Sequence, residues 1–313
     1  MRAFVLDDNP PRLVADWPDP EPNPGWARVR PLIAGICNTD LELARGYMGF
    51  KGVLGHEFVG EALDGAFAGK RVVGGINFGC GDCPSCLSGM ARHCPTRTVL
   101  GILGADGVFA ESFAIPERNL LEVPATVGDE EAVFTEPLAA ACQILDQIGD
   151  ERGRACVLGA GKLGTLVAQV LSVAGFETDL VGRHLQGLGF VDASGVRRVG
   201  ERAEGSGYDL VVEATGSEEG LALALSLVRP RGHLVLKTTV AARHAVDLAP
   251  VVINEIHIIG SRCGRFEPAL ALLAERRVDV RPLISARFAL ANIEEAFGAA
   301  AGRGVRKVLV RHD

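Results

Sequence analysis

Ala155-Cys156-Val157-Leu158-Gly159-Ala160-Gly161-Lys162-Leu163-Gly164-Thr165-Leu166 runs from a short apolar strand through a glycine turn into a helix. Gly159, Gly161 and Gly164 form G-x-G-x-x-G. The first glycine admits a tight turn, the second lets backbone approach a pyrophosphate, and the third lets helix pack on strand. The helix that follows presents free N–H groups and partial positive charge to phosphates. A lone G-x-G-x-x-G is weak, because glycine is common in turns. Between a strand and a helix it predicts a dinucleotide site, with Lys162 and Leu163 in the same loop.

Downstream, strand candidates follow at Glu177 to Val181, Asp209 to Ala214, His233 to Leu236 and Ile256 to Ile259. Helical stretches separate most of them, as a parallel βαβ sheet requires. The strand Glu177 to Val181 ends on Gly182, followed by Arg183 and His184. Glycine leaves room there for a 2′-phosphate, and Arg183 can bind one through two N–H groups. The rival reading takes Asp179, about 20 residues after Gly159, as the ribose acid of an NAD site. That places the acid in mid-strand, so NADP is favoured over NAD.

Upstream, the first 125 residues or so are short apolar runs punctuated by Gly and Pro, which predicts an irregular, mostly β domain. From Asp129 to Gly149 the residues favour helix, with Pro137 as the expected break between two helices. From about Phe266 two more helices are expected, then a closing strand at Arg306 to Val310.

Cys80, Cys83, Cys86 and Cys94 follow the spacing C-x2-C-x2-C-x7-C. Glycine and proline between them permit tight reversals. Four thiolates around Zn²⁺ make a closed tetrahedral site with no position for substrate, so this cluster is a staple. Cys37 and His56 offer a thiolate and an imidazole, a pair that suits a second zinc.

The chain has 313 residues, 48% hydrophobic and 23% charged, enough for two domains with their own cores. A net charge of −7 argues against nucleic acid or an anionic membrane as partner. No apolar run approaches the roughly 20 residues that span a bilayer. Met1 to Asp8 carries acids where a signal peptide would continue its apolar core, and reads as a first strand. Eight cysteines in such a chain point to metal or catalysis before disulfides, and to the cytoplasm.

G-I-C-x-T-D from Gly35 to Asp40, G-H-E-x-x-G from Gly55 to Gly60, the four-cysteine run and G-x-G-x-x-G occur in this order. In that order the chain resembles the zinc-containing medium-chain dehydrogenase/reductase family, in its alcohol, polyol and threonine dehydrogenase branch. Glu213 to Gly216 and Ile258 to Ser261 are similar too. The resemblance implies an α/β fold. A Rossmann doubly wound parallel sheet (138–268) would be inserted in a GroES-like, mostly β catalytic domain (1–137 and 269–313) that carries the structural zinc lobe. It implies a zinc-dependent hydride transfer between a nicotinamide cofactor and a small alcohol, polyol or sugar-type hydroxyl or carbonyl.

Carried over by residue, Cys37 and His56 become catalytic zinc ligands. The segment Thr135-Glu136-Pro137-Leu138 falls where alcohol dehydrogenases supply a second cysteine, so Glu136 and Glu57 compete for the third position. Cys142 is assigned to the core. Asp40 would accept from the His56 ring and fix its tautomer. Thr39 would take the substrate proton, and Glu42 stands where relatives carry a relay histidine. Thr215 and Arg306 are further cofactor candidates. Tyr47, Met48 and Phe50 line the substrate pocket or pack a loop. The run Val251 to Gly260 predicts a homodimer or homotetramer through paired strands. Ala62 to Gly69 and the region after Arg183 are abbreviated against the family, without loss of a ligand. Two other readings remain: a zinc-independent carbonyl or enone reductase, and a non-catalytic NADPH-binding protein.

Overall fold

The computed structural model describes residues 1–201, 203, 205–238 and 245–312. The chain divides into two compact units, Met1–Glu136 with Leu283–Asp313, and Pro137–Pro282.

The first unit is built on a seven-stranded sheet. Its strands are β1 (Trp26–Gly35), β2 (Glu57–Ala62), β3 (Arg71–Gly74), β4 (Phe113–Pro116), β5 (Leu120–Glu122), β12 (Ile284–Ala289) and β13 (Lys307–Arg311). They run in the order β5-β3-β2-β1-β13-β12, with β4 also paired to β1. The alternation of β1 shows why it forms. Ala27 and Val29 point into the core, while Arg28 and Arg30 point out to Asp64 and Glu61. The alternation stops at Ile33, and the last residues of the strand, Ala34 and Gly35, are enclosed. In register, Gly35 stands between Glu57 of β2 and Leu309 of β13. The strand expected at the N-terminus is Ala3–Leu6, in a small separate sheet.

The break expected at Pro137 falls earlier. A short helix, α2 (Asp129–Ala132), ends before Val133, and α3 (Thr135–Ile148) then starts with Pro137 in its first turn. A first-turn proline loses no hydrogen bond, because that N–H has no partner inside the helix.

The second unit carries a six-stranded parallel sheet. It comprises β6 (Arg154–Leu158), β7 (Glu177–Val181), β8 (Arg197–Val199), β9 (Tyr208–Glu213), β10 (Val228–Leu236) and β11 (His257–Gly260). The order is β8-β7-β6-β9-β10-β11, a doubly wound arrangement that reverses direction at β6. Helix α4 (Lys162–Val173) follows β6 and buries Leu166, Val167, Val170 and Leu171. The return to the first unit comes at Leu283, later than the expected 269. The reason lies in α6 (Phe266–Ala274), which buries Phe266, Ala269, Leu270 and Leu273. Beyond it, Asp279 exchanges backbone bonds with the Gln169 amide at 2.8 and 3.1 Å, which ties the segment to α4. Among the described residues no helix is long and apolar enough to cross a membrane.

Candidate active site and metal centres

Helix α1 (Asn38–Ala44) opens on Cys37, an extended residue at its N-cap. Asp40, fully buried, spends both carboxylate oxygens on this corner. Oδ2 accepts the Cys37 backbone N–H at 2.8 Å, and Oδ1 lies 3.1 Å from His56 Nδ1. A carboxylate on Nδ1 turns the other ring nitrogen, Nε2, toward whatever lies ahead. Burial alone would lower the pKa of His56, but Asp40 and Cys37 outweigh it and hold the ring well above its usual 6.5.

Cys37, His56 and Glu57 each offer a donor atom, and the three lie within 4.8 Å of one another. Glu136, buried in the first turn of α3, falls outside this close set. Glu57 Oε2 is held by Lys307 Nζ, and both side chains are 1% exposed. The other oxygen, Oε1, is buried and accepts no hydrogen bond among the described residues. A soft thiolate, a tautomer-fixed imidazole and an orphaned carboxylate oxygen fit a three-ligand zinc site with one open position.

Thr39 Oγ1 stands 3.7 Å from Cys37 Sγ, on the same helical turn. Glu42 pairs with Arg45 at 2.6 Å on the outer side of α1. The structure therefore does not bring it into the Cys37, His56 and Glu57 set. Phe50 is buried and packs, whereas Met48 is half exposed at a left-handed φ of 59°. Cys142 is buried on α3, and desolvation pushes its thiol up to about 12, which suits an inert core residue.

The second cluster gathers Cys80, Cys83, Cys86 and Cys94, again within 4.8 Å of one another. Cys80 donates its backbone N–H to Cys94 Sγ at 3.4 Å. The Thr96 hydroxyl and that N–H bring the Cys94 thiol down to about 6, which favours thiolate at neutral pH. Four thiolates so gathered fit a closed tetrahedral zinc site in which protein would supply every position.

In the second unit, Gly159 has a φ of +109°, and a Cβ there would lie 2.6 Å from Ala214 O. A Cβ on Gly164 would collide with Gly159 O. Gly161, the N-cap of α4, faces open space. The loop is thus tight on its protein side and open at the helix N-terminus, a cradle that fits a pyrophosphate. Lys162 and Leu163 form the half-buried first turn of α4.

Asp179 is buried in mid-strand, bound by Arg197 at 2.7 and 2.6 Å and by Tyr208 Oη at 2.6 Å. Its carboxylate is spent inside the sheet. Gly182 closes on the glycine loop, where a Cβ would lie 2.6 Å from Ala160 Cβ. Arg183 and His184 are exposed beyond it. Thr215 donates its N–H and hydroxyl to Glu213 Oε1, each at 2.6 Å, which shapes the turn after β9. Arg306 is half-buried, and its backbone N–H donates to Ser285 Oγ at 2.9 Å.

Sequence reasoning missed Lys307. Burial alone would lower its pKa, but Glu57, Cys37 and Glu136 raise it, so the site carries a buried ammonium. The signal was a lysine opening an otherwise apolar run, Lys307-Val308-Leu309-Val310. A strand enclosed on both faces gives a cation no solvent, so it needs an anion.

Comparisons with known proteins agree with this architecture. Residues 23–125 match the family described as alcohol dehydrogenase GroES-like domain, and residues 163–275 match that described as zinc-binding dehydrogenase. L-threonine 3-dehydrogenase of Streptomyces coelicolor is 31% identical, with 99% of each chain covered. Two solved structures are also similar over nearly their whole length. An alcohol dehydrogenase from Escherichia coli CFT073, complexed with NADH, aligns at a TM-score of 0.89 and 25% identity, covering 99% of both chains. A protein of Sinorhizobium meliloti 1021, described as a zinc-binding dehydrogenase and bound to NADP, aligns at 0.87 and 27% identity. That alignment covers 99% of this chain and 98% of the other.

Proposed function

The chain belongs to the zinc-containing medium-chain dehydrogenase/reductase family, and from that premise we propose an NADP-preferring, zinc-dependent dehydrogenase of small alcohols, polyols or sugar-type hydroxyls. The observation that carries this reading is the close set of half-buried Cys37 with buried His56 and Glu57, with Asp40 on the imidazole. When bound, zinc supplies Lewis-acid polarisation of a substrate oxygen, and the nicotinamide supplies the hydride acceptor. Cys37 and His56 would hold the ion, Glu57 would be the third ligand, and Glu136 is a further buried anion of this unit. With zinc displacing the Nε2 proton, Asp40 would keep the remaining His56 proton on Nδ1 and leave Nε2 to the ion. Thr39 receives the proton from the substrate hydroxyl at Oγ1 and passes it toward solvent. Glu42, engaged with Arg45, is left out of that relay. Cys80, Cys83, Cys86 and Cys94 would hold the structural ion. That four cysteines cluster as metal ligands supports a reducing, cytoplasmic setting.

The preference for NADP rests on three features of β7 and the turn that follows it. Asp179 is consumed by Arg197 and Tyr208, Gly182 has no room for an acid, and Arg183 is exposed without an ion pair among the described residues. Initial rates with NADP and NAD, across alcohols, polyols, sugars and hydroxy amino acids, test both cofactor and substrate class. Arg183→Ala is expected to raise KM for NADP at least about tenfold and to leave KM for NAD unchanged, the loss of one charge-assisted contact. Equal effects on both cofactors would remove Arg183 as the phosphate reader.

A homodimer or homotetramer completes the reading. Strand β11 ends its sheet, and just before it α5 (Ala249–Ile253) exposes Val252 and Ile253 at 77% each, with Ile258 also exposed on the strand. An apolar edge of this kind favours a symmetric partner. Sedimentation is expected to give a dimer or tetramer at micromolar concentration, and a monomer there would defeat this part.

A further inference from the structure

Glu57 and Lys307 sit on strands that do not pair. Strand β1 runs between β2 and β13, and where the two side chains meet it carries Gly35. A Cβ on Gly35 would run into Glu57 Oε2 and press on Lys307 Cδ at 3.3 Å. The missing side chain is what lets carboxylate and ammonium meet over the middle strand. Both charges are buried, and such a pair often adds little stability over an apolar replacement. Its place beside Cys37 therefore calls for another reason.

We propose that Lys307 is a positioning residue for the catalytic metal: it holds Glu57 Oε2, so that Glu57 offers the ion one oxygen, Oε1, and no more. The proposal rests on the reading of Cys37, His56 and Glu57 as zinc ligands. Oε1 is the atom left buried and without a hydrogen-bond partner among the described residues. A carboxylate with both oxygens free would chelate the ion and occupy the position a substrate oxygen needs. Lys307 also balances charge. The Cys37 thiolate, Glu57 and Glu136 would bring three negative charges against the two of zinc, and the ammonium on Glu57 adds a third positive one.

The test replaces zinc with Co²⁺ and compares the native protein with Lys307→Met and Lys307→Arg. Spectra are taken as differences from Cys37→Ala, which cancels the four-cysteine lobe. The native difference spectrum should show the strong d–d bands of four-coordinate cobalt. Lys307→Met should show bands several-fold weaker, from a higher coordination number, and should lose cobalt to a chelator several-fold more slowly. Lys307→Arg should restore the native spectrum.

An unchanged spectrum and release rate in Lys307→Met overturn the proposal, even if its thermal midpoint falls, because they leave the lysine a purely structural role. If Lys307→Met does not fold, Gly35→Ala keeps both charges but forces Oε2 off the ammonium. It should weaken the bands in the same direction, and an unchanged spectrum there also overturns the proposal. A native protein with no cobalt band above Cys37→Ala overturns the zinc reading itself, a result distinct from either.

Discussion

Cys37→Ala is expected to lower kcat/KM by roughly 10³-fold or more, because polarisation of the substrate oxygen by zinc is worth several kcal/mol. The metal content should fall by one ion per chain, and that of the four-cysteine lobe should stay. The fold should survive. Cys37 is an N-cap whose anchoring bond runs from its own backbone N–H to Asp40, and alanine keeps that N–H. Asp40 would go on holding His56 Nδ1. NADPH should bind with unchanged affinity, since the glycine loop and Arg183 lie in the other unit.

The measurement is steady-state turnover alongside metal analysis and NADPH fluorescence titration. Undiminished turnover after loss of the ion would favour a zinc-independent reductase. Native protein that binds NADPH but turns over no alcohol, polyol or carbonyl would favour a non-catalytic binding protein. His56→Ala does not separate these readings as cleanly, because it also strands the buried Asp40 carboxylate without its ring partner.

How much of this was legible in the sequence follows from how local each signal is. The strand, glycine turn and helix from Ala155 to Ala174 are contiguous, and their apolar period survives in the structure as β6 and α4. The four cysteines of the lobe lie within fifteen consecutive positions, 80–94, so spacing alone brings them together. Three features were hidden because they depend on distant partners. Strand β8 reads Arg197-Arg198-Val199, too short and too charged to be seen as sheet until Asp179 claims Arg197. The same pairing engages the Asp179 carboxylate inside the sheet. Lys307 meets Glu57 across 250 residues, with a glycine of a third strand making room. No periodicity carries that information. It arises when β2, β1 and β13 lie side by side.

The glycine loop yields the second large effect, because its three glycines are constrained by different things. A Cβ on Gly164 meets Gly159 O, and one on Gly159 meets Ala214 O, so both positions are set by protein packing. Gly161 has nothing within 4 Å of its would-be Cβ. Its φ of −80° also suits any L-residue. Fold stability does not require a glycine there, whereas the proposed pyrophosphate would. Gly161→Val should therefore leave the thermal midpoint unchanged within about 1 °C, on the ordinary scale of a strain-free surface substitution. It should also weaken NADPH binding by roughly a hundredfold. That is about 3 kcal/mol, the loss of one or two charge-assisted bonds from helix N–H groups to phosphate. Gly164→Ala should do the reverse in the absence of cofactor, lowering the midpoint by several degrees because α4 must back away from β6. Calorimetry and fluorescence titration on the two variants separate the cases. If Gly161→Val binds NADPH as the native protein does, the open face of the loop is not where the pyrophosphate lies. A fall in its midpoint would mean instead that the glycine serves the fold.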